Sequence, residues 1–321
     1  MEHRFVVSSS PHIHTKESIS SIMLDVLIAL VPAALAGIYY FGYRSAVVIL
    51  TAIAACVLFE YLYEKCMKRP VSTRDLSAMV TGLLLGLNLP ATIPLWMVVA
   101  GSAFAIIIVK QLYGGLGKNF MNPALAARCF MLIAWAGAMT TFSEPLAGVD
   151  TISSATPLAV LKGVSEGNLP TLKQAFFGAT AGSIGETSCL MLLLGFVYLL
   201  IRRVIDWKIP ITYIAVFALL TFLFGKNTTG MDQVSYTLLH VMSGGLFLGA
   251  FFMATDYVTT PTTPLGHIIF GVGCGILTFV IRRFGGYPEG VSFSILLMNV
   301  CAPLIDRYTV PKKFGEVRKH G

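Results

Sequence analysis

Apolar residues run along this sequence in long unbroken blocks. They show neither the strict alternation of a half-buried strand nor the single stripe of a soluble helix. After a polar segment over 1–20, such blocks occupy 21–42, 45–64, 76–89, 92–112, 123–140, 187–202, 209–225, 236–254, 265–281 and 290–305. A helix needs about 20 apolar residues to cross a bilayer. The pattern therefore predicts an all-α polytopic membrane protein with about ten transmembrane helices, of which 76–89 is short. It divides the chain into an N-terminal segment (1–20), a first membrane unit (21–140), a polar loop (141–186), a second membrane unit (187–305) and a tail (306–321). The opening segment is too long and polar for a signal-peptide n-region, and no small-residue cleavage site follows the first block. The first span is expected to be retained.

Composition narrows the class further. Apolar residues make up 55% of the chain and charged residues 12%, half of the ~25% found in an ordinary soluble domain. That excludes a soluble enzyme, a nucleic-acid-binding module and a disordered chain. The net charge of +7 reads as topology, because Lys and Arg collect in cytoplasmic loops. With the N-terminus inside, 17 of the 23 Lys and Arg fall on the cytoplasmic side. The opposite side holds Arg44, Lys162, Lys173, Lys226, Arg282 and Arg283. Both termini are then cytoplasmic and 141–186 faces outward, with Arg282–Arg283 standing against the rule. The six cysteines include no C-x-x-C pair, so neither a zinc ribbon nor a disulfide framework is indicated.

An internal repeat accounts for the misplaced arginines. The run Gly82 to Thr92 matches Gly245 to Thr255, Tyr113-Gly114-Gly115 matches Phe284-Gly285-Gly286, and Phe120-Met121-Asn122 matches Leu297-Met298-Asn299, always in the same order. Two halves of five spans each follow. Since five is odd, the second half enters from the other side, which gives an inverted repeat with interrupted helices and sites at the interface of the halves. Positions near Lys110 then map onto Arg282–Arg283. The competing explanation of the glycines is close helix packing through small-xxx-small pairs such as Gly82/Gly86.

Three sets of residues can carry chemistry. Ser153-Ser154-Ala155-Thr156-Pro157 in the loop is a helix N-cap by pattern, with Thr156 accepting from first-turn amides and Pro157 at the first helical position. It also suits covalent attachment, since small residues expose a hydroxyl and a helix start offers amides to a phosphate. The second set is the ionisable residues in or near spans: Asp25, Glu60, Glu64, Asp75, Arg128, His240 and Asp256. Charge in hydrocarbon is costly and marks function by default. Asp75 and Asp256 each lie seven residues from a repeat glycine. Either they bind Na⁺ or carry a proton at an interrupted helix, or they form salt bridges with Arg74 or Arg128. The third set is Asn122 and Asn299, which either cap a helix break or meet the polar edge of a flavin. Cys129 and Cys301 follow these Asn residues at unequal spacing and read as packing.

Five stretches together carry a resemblance: Thr73-Arg74-Asp75-Leu76-Ser77-Ala78 through Gly86-Leu87-Asn88-Leu89-Pro90; Gly117-Lys118-Asn119-Phe120-Met121-Asn122-Pro123-Ala124; Ser153-Ser154-Ala155-Thr156; Phe252-Met253-Ala254-Thr255-Asp256; and Pro288-Glu289-Gly290-Val291-Ser292-Phe293 through Leu297-Met298-Asn299. The chain resembles the D subunit of Rnf-type ion-translocating ferredoxin:NAD oxidoreductase complexes, and it is similar to the B subunit of the sodium-pumping NADH:quinone reductase. The resemblance implies an electron-transfer subunit in a bacterial cytoplasmic membrane, not catalytic alone, that couples electron flow to Na⁺ or H⁺ export. In that family the Thr of a Ser-Gly-Ala-Thr motif holds FMN through a phosphoester. The matching residue is Thr156, with Ser153, Ser154 and Ala155 around it, and Ser154 replaces the motif's Gly. The resemblance also implies a non-covalent riboflavin, and partners that include another covalent-FMN subunit, iron–sulfur subunits and membrane lipid. A channel or transporter for a small polar solute suits the same inverted architecture, because fold does not fix function.

Overall fold

The computed structural model describes residues 18–146, 153–165, 167–227 and 229–311; the segment before 18, residues 147–152 and the tail from 312 lie outside the described residues. Six of the cations in the charge map (Arg4, Lys16, Lys312, Lys313, Arg318 and Lys319) fall there.

The described chain is mostly helical. Helix α1 (Ile19–Phe41) starts at a reciprocal cap, in which Ser18 and Ser21 each accept a hydrogen bond from the other's backbone N–H. It stops at Gly42, whose φ of +76° turns the chain straight into α2 (Tyr43–Cys66). The short block becomes α3 (Ser77–Leu87), which breaks at Asn88. After Pro94 comes α4 (Leu95–Gln111), π-helical from Phe104 onward. Then follow α5 (Pro123–Ala134) and α6 (Ala136–Thr140). The loop region holds β1 (Phe142–Ser143), β2 (Ser153–Ser154), α7 (Pro157–Leu161) and α8 (Leu172–Phe177). The second membrane unit is α9 (Cys189–Ile201), α10 (Lys208–Phe224), α11 (Gln233–Met242), α12 (Leu246–Met253), α13 (Pro264–Phe284) and α14 (Val291–Thr309). Each predicted apolar block thus coincides with a helix or a broken helix. Among the described residues, α1, α2, α13 and α14 are each long and apolar enough to cross a bilayer alone, and α11 with α12, bent by 58°, does so as a pair.

The first helices of the two units pack on each other, α1 on α9, as do the last, α5 on α14. Within the units, α2 carries α3 and α4, and α10 carries α11 and α13. Gly82 and Gly86 supply the α2–α3 contact. A Cβ on Gly82 would stand 2.6 Å from Ile53 Cα, and one on Gly86 3.0 Å from Ile49 Cα. The small-residue packing expected of this pair is therefore present, and the helix also breaks directly after it. Leu30, Leu85, Leu87, Tyr213, Phe217 and Phe270 fill the interior, while Leu35, Leu50, Ile133 and Leu219 face outward, as a lipid-facing surface requires. Cys129 is buried, but Cys301 is exposed on α14, so the packing role predicted for it is not found.

Candidate functional site

Strands β1 and β2 form a two-residue antiparallel pair, Phe142 opposite Ser154 and Ser143 opposite Ser153. This pins the chain just before it turns into α7. Thr156 caps that helix: its backbone is extended (φ −68°, ψ 150°), its Oγ1 accepts from Ala159 N at 3.3 Å, and Pro157 takes the first position. The capping role predicted from the pattern is therefore realised. Helix α7 has only five residues, and one of its first-turn amides is already taken by Thr156. The supply of amides that the sequence suggested for a phosphate is correspondingly small.

Thr156 is 7% exposed and lines two cavities. The larger, 370 Å³, is bordered by Ser154, Ala155, Arg128, Tyr287 and Phe293. The rings of Tyr287 and Phe293 stack with centroids 5.8 Å apart and planes inclined by 25°. The smaller lies toward Glu186, Gly244 and Glu289. Arg128, on α5, joins the two membrane units beside this hydroxyl. Its Nε donates to Asn88 O at 3.2 Å, an Nη donates to Ser292 Oγ at 2.5 Å, and the other Nη pairs with Glu289. The charge map grouped Arg128 with the cations of the opposite end; the structure corrects that, because its partners stand at the start of α14 beside Thr156. Glu186 accepts from Ser183 Oγ at 2.7 Å in the same neighbourhood.

A second polar cluster occupies the other end of the bundle. Lys110, in the π-helical last turn of α4, pairs with Glu60 at 2.5 Å and donates to Ser77 Oγ at 2.6 Å. Ser77 donates to Asp75 at 2.6 Å, and Gln111 donates to Glu60 at 3.0 Å and Glu64 at 3.3 Å. Asp75 also accepts from Ser77 N at 2.9 Å, and Asp256 accepts from Val258 N at 3.4 Å and Thr259 Oγ1 at 3.3 Å. Both are local turn caps. The salt bridges with Arg74 or Arg128 that the sequence left open are not formed. Asp256 lines an 80 Å³ cavity with Lys110, Asn119 and Asn122. Asp75 and Glu64 line a 490 Å³ cavity next to it, and Ile22, Met23 and Leu116 border both.

Asn122 caps α5, accepting from Ala124 N at 3.0 Å and Leu125 N at 3.3 Å. Asn299 sits inside α14 instead of at its start. With its amide oriented to suit its neighbours, its oxygen accepts from Asn122 N at 3.1 Å and its nitrogen donates to Thr259 O at 3.2 Å. The two repeat asparagines therefore touch each other without being structurally equivalent. Asp25 pairs with Arg202, just past the end of α9, at 3.1 Å and accepts from Tyr198 of α9 at 2.8 Å.

The sequence profile of the NQR2, RnfD, RnfE family matches residues 6–315. The chain belongs to the NQR2, RnfD, RnfE family. Among its relatives there, the D subunit of the Na⁺-translocating ferredoxin:NAD⁺ oxidoreductase complex of Acetobacterium woodii is 47% identical over 98% of this chain and 96% of its own length. The D subunit of the proton-translocating ferredoxin:NAD⁺ oxidoreductase complex of Clostridium ljungdahlii is 48% identical over 98% and 97%. That of the ion-translocating oxidoreductase complex of Yersinia enterocolitica is 40% identical over 98% and 99%. Two relatives of nearly equal similarity are named for different ions, so membership of the NQR2, RnfD, RnfE family does not choose between them. The buried contacts described above also bring out residues that pattern reading passed over. Lys110 had entered only the charge count and the repeat alignment, and Glu186 had no place among the candidates. Both lie inside small-residue or apolar stretches, where only the cost of burying a charge marks them.

Proposed function

We propose that this chain is a membrane electron-transfer subunit of an ion-translocating ferredoxin:NAD⁺ oxidoreductase complex of the Rnf type, holding FMN as a phosphoester on Thr156 and coupling electron flow to Na⁺ or H⁺ export. The observation that carries the reading is the Thr156 hydroxyl, held at the wall of a 370 Å³ cavity by a strand pair on one side and a helix start on the other. The residues present fit a flavin. Ser154 and Ala155 leave room beside the ester oxygen, Tyr287 and Phe293 offer aromatic surface, and the paired Arg128 and Glu289 give a fixed polar wall. When bound, the isoalloxazine ring supplies one- and two-electron chemistry. The chain's own part is position, exclusion of water and electrostatic tuning. Ser154, in place of the motif's Gly, adds one hydroxymethyl group at the cavity edge.

In this reading the chain crosses the membrane ten times in two inverted halves, with both termini cytoplasmic and Thr156 outside. The paired contacts of α1 with α9 and α5 with α14 support it, as do the matching places of Lys110 and Arg282 in the last turns of α4 and α13. The adjoining cavities at Asp75 and Asp256 support an ion or proton entry from the other end. The partners are the other membrane and peripheral subunits of the complex, including a second covalent-FMN subunit and iron–sulfur subunits. A non-covalent riboflavin belongs to the same reading.

Mass spectrometry of the peptide containing Thr156 tests the assignment, on protein made by a host that installs covalent flavin. The expected result is a mass increase equal to FMN minus water, together with flavin fluorescence that survives denaturation and vanishes in Thr156→Ala. An unmodified peptide sinks it. A colourless protein that moves a small solute across vesicles supports the transporter instead.

A further inference from the structure

Lys162, Lys226, Arg282 and Arg283 come from separate stretches of the chain and border one cavity of 250 Å³ at the Thr156 end of the bundle. They are four of the six cations that the charge map places on the outward side, and include Arg282 and Arg283, which stand against the positive-inside rule. Among the described residues, no carboxylate lines this cavity, and none of the four cations takes part in an ion pair. Arg282, 5% exposed, gives its guanidinium to backbone oxygens: Glu289 O at 2.8 Å, Ser243 O at 3.0 Å, Gly244 O at 3.2 Å and His240 O. The ring of Phe217 lies 4.8 Å from it. Lys162 donates to the carbonyls of Gly285 and Tyr287. Carbonyls orient these cations but do not neutralise them; Glu289 and Glu186 act on Arg282 from outside the lining, and with four cations and no carboxylate in its wall the cavity keeps a net positive charge.

His240 adds a second, independent sign. Both of its ring nitrogens are buried with no hydrogen-bond partner among the described residues, which is rare for buried polar atoms. Burial also holds the Lys162 ammonium below the ordinary lysine range, a cost that an anion beside it offsets. The helices around the opening are apolar outward: Phe222 and Phe224 of α10, Leu238 of α11 and Phe284 of α13 are all exposed.

We propose that this basic cavity is a binding site for a phosphate-bearing anion, with the headgroup of an anionic membrane phospholipid as its occupant and the acyl chains lying along the exposed faces of α10, α11 and α13. The charge supplies the attraction, and the imidazole supplies a donor that has no other partner. The four cations are then retained at this end for binding, against the bias that orients the rest of the chain.

The test uses the full chain in detergent, delipidated, with its unfolding temperature followed as probes are added: short-chain phosphatidylglycerol, phosphatidylcholine and inorganic phosphate. Phosphatidylglycerol is expected to give a saturable rise and phosphatidylcholine none. Lys226→Gln with Arg283→Gln removes two charges that hold no backbone carbonyl, and is expected to weaken the apparent affinity about tenfold or more. The charge-keeping pair Lys226→Arg with Arg283→Lys is expected to restore it, which separates lost binding from lost fold. The same saturable rise with inorganic phosphate, lost in the same variant, assigns the site to free phosphate. No response to any anionic probe, or a response that the double variant leaves intact, overturns the proposal. Thr156→Ala is expected to bind as the parent does, so the result stands apart from the flavin assignment.

Discussion

Lys110 and Arg282 occupy corresponding places, each in the last turn of a long helix and each reaching the broken helix of its own unit. Their surroundings are opposite. Lys110 meets the Glu60 carboxylate, with Glu64 and Asp75 linked to it through Gln111 and Ser77. Arg282 forms no salt bridge among the described residues: its hydrogen bonds go to peptide carbonyls, the Phe217 ring lies over it, and Lys162, Lys226 and Arg283 share its cavity. A buried cation has two routes to satisfaction. A carboxylate cancels its charge at the expense of desolvating a second ion, whereas carbonyl dipoles saturate its donors and leave the net charge in place. Two similarly placed cations thus differ in their electrostatics, giving one acid-rich end and one base-rich cavity.

The most damaging change is expected at Arg282. Arg282→Gln strands several buried carbonyls at the α11–α12 break and should cost about 5 kcal/mol or more, visible as loss of monodisperse protein after extraction. If that variant is as stable as a surface substitution, carbonyl capping does not hold the break and the contrast dissolves. Next comes Lys110→Met, which leaves Glu60 charged and unpaired and should cost about 3–5 kcal/mol. Adding Glu60→Gln should recover most of it. A double-mutant cycle showing simple additivity would mean that the pair is not coupled.

Packing gives a smaller, local comparison. Gly82→Ala drives a methyl to within 2.6 Å of Ile53 Cα and should lower stability by about 1–3 kcal/mol. Gly286→Ala meets nothing within 4 Å and should stay within about 0.5 kcal/mol. Thr156→Ala removes a cap worth about 1 kcal/mol, while Thr156→Ser should keep the unfolding temperature of the parent. The smallest effect lies in the α9–α10 connection. Burial pushes the Asp206 carboxyl up, but bonds from Lys208 and the nearby His267 outweigh that and hold it below its ordinary value of 3.8. Its stabilisation is therefore full above that value and lost as pH falls below it. Asp206→Asn should flatten this part of an acid titration of unfolding temperature.

The helices were legible because continuous apolar runs announce burial in lipid without any knowledge of partners. The break at Gly244–Gly245 and the stop at Asn88 were also legible, through the repeated glycine block. Partners were not. Arg128 carries the same letter whether it faces one end of the bundle or pairs with Glu289 at the other, and a hydropathy pattern reports depth, not direction. Glu186 stands in a run of small residues that looks like any polar loop. Its importance arises only when α5, α12 and the start of α14 close around it. Cys301 shows the reverse error, since membership of an apolar run does not say which side of the helix a thiol occupies. The anomaly at Arg282–Arg283 was the one electrostatic signal that the sequence displayed openly, and it led to a cavity that pattern reading alone could not assemble.

The enclosure of Thr156 bears on the order of assembly. The hydroxyl of a threonine only 7% exposed is out of reach of a modifying enzyme once its surroundings have closed, yet what closes them is slight: a two-residue ladder and a helix of little more than one turn. Such a latch opens at small energetic expense, whereas the Arg128–Glu289 tie behind it does not. If FMN is attached at Thr156 as proposed, its installation belongs to a stage when the loop is still unlatched and the membrane helices have already joined.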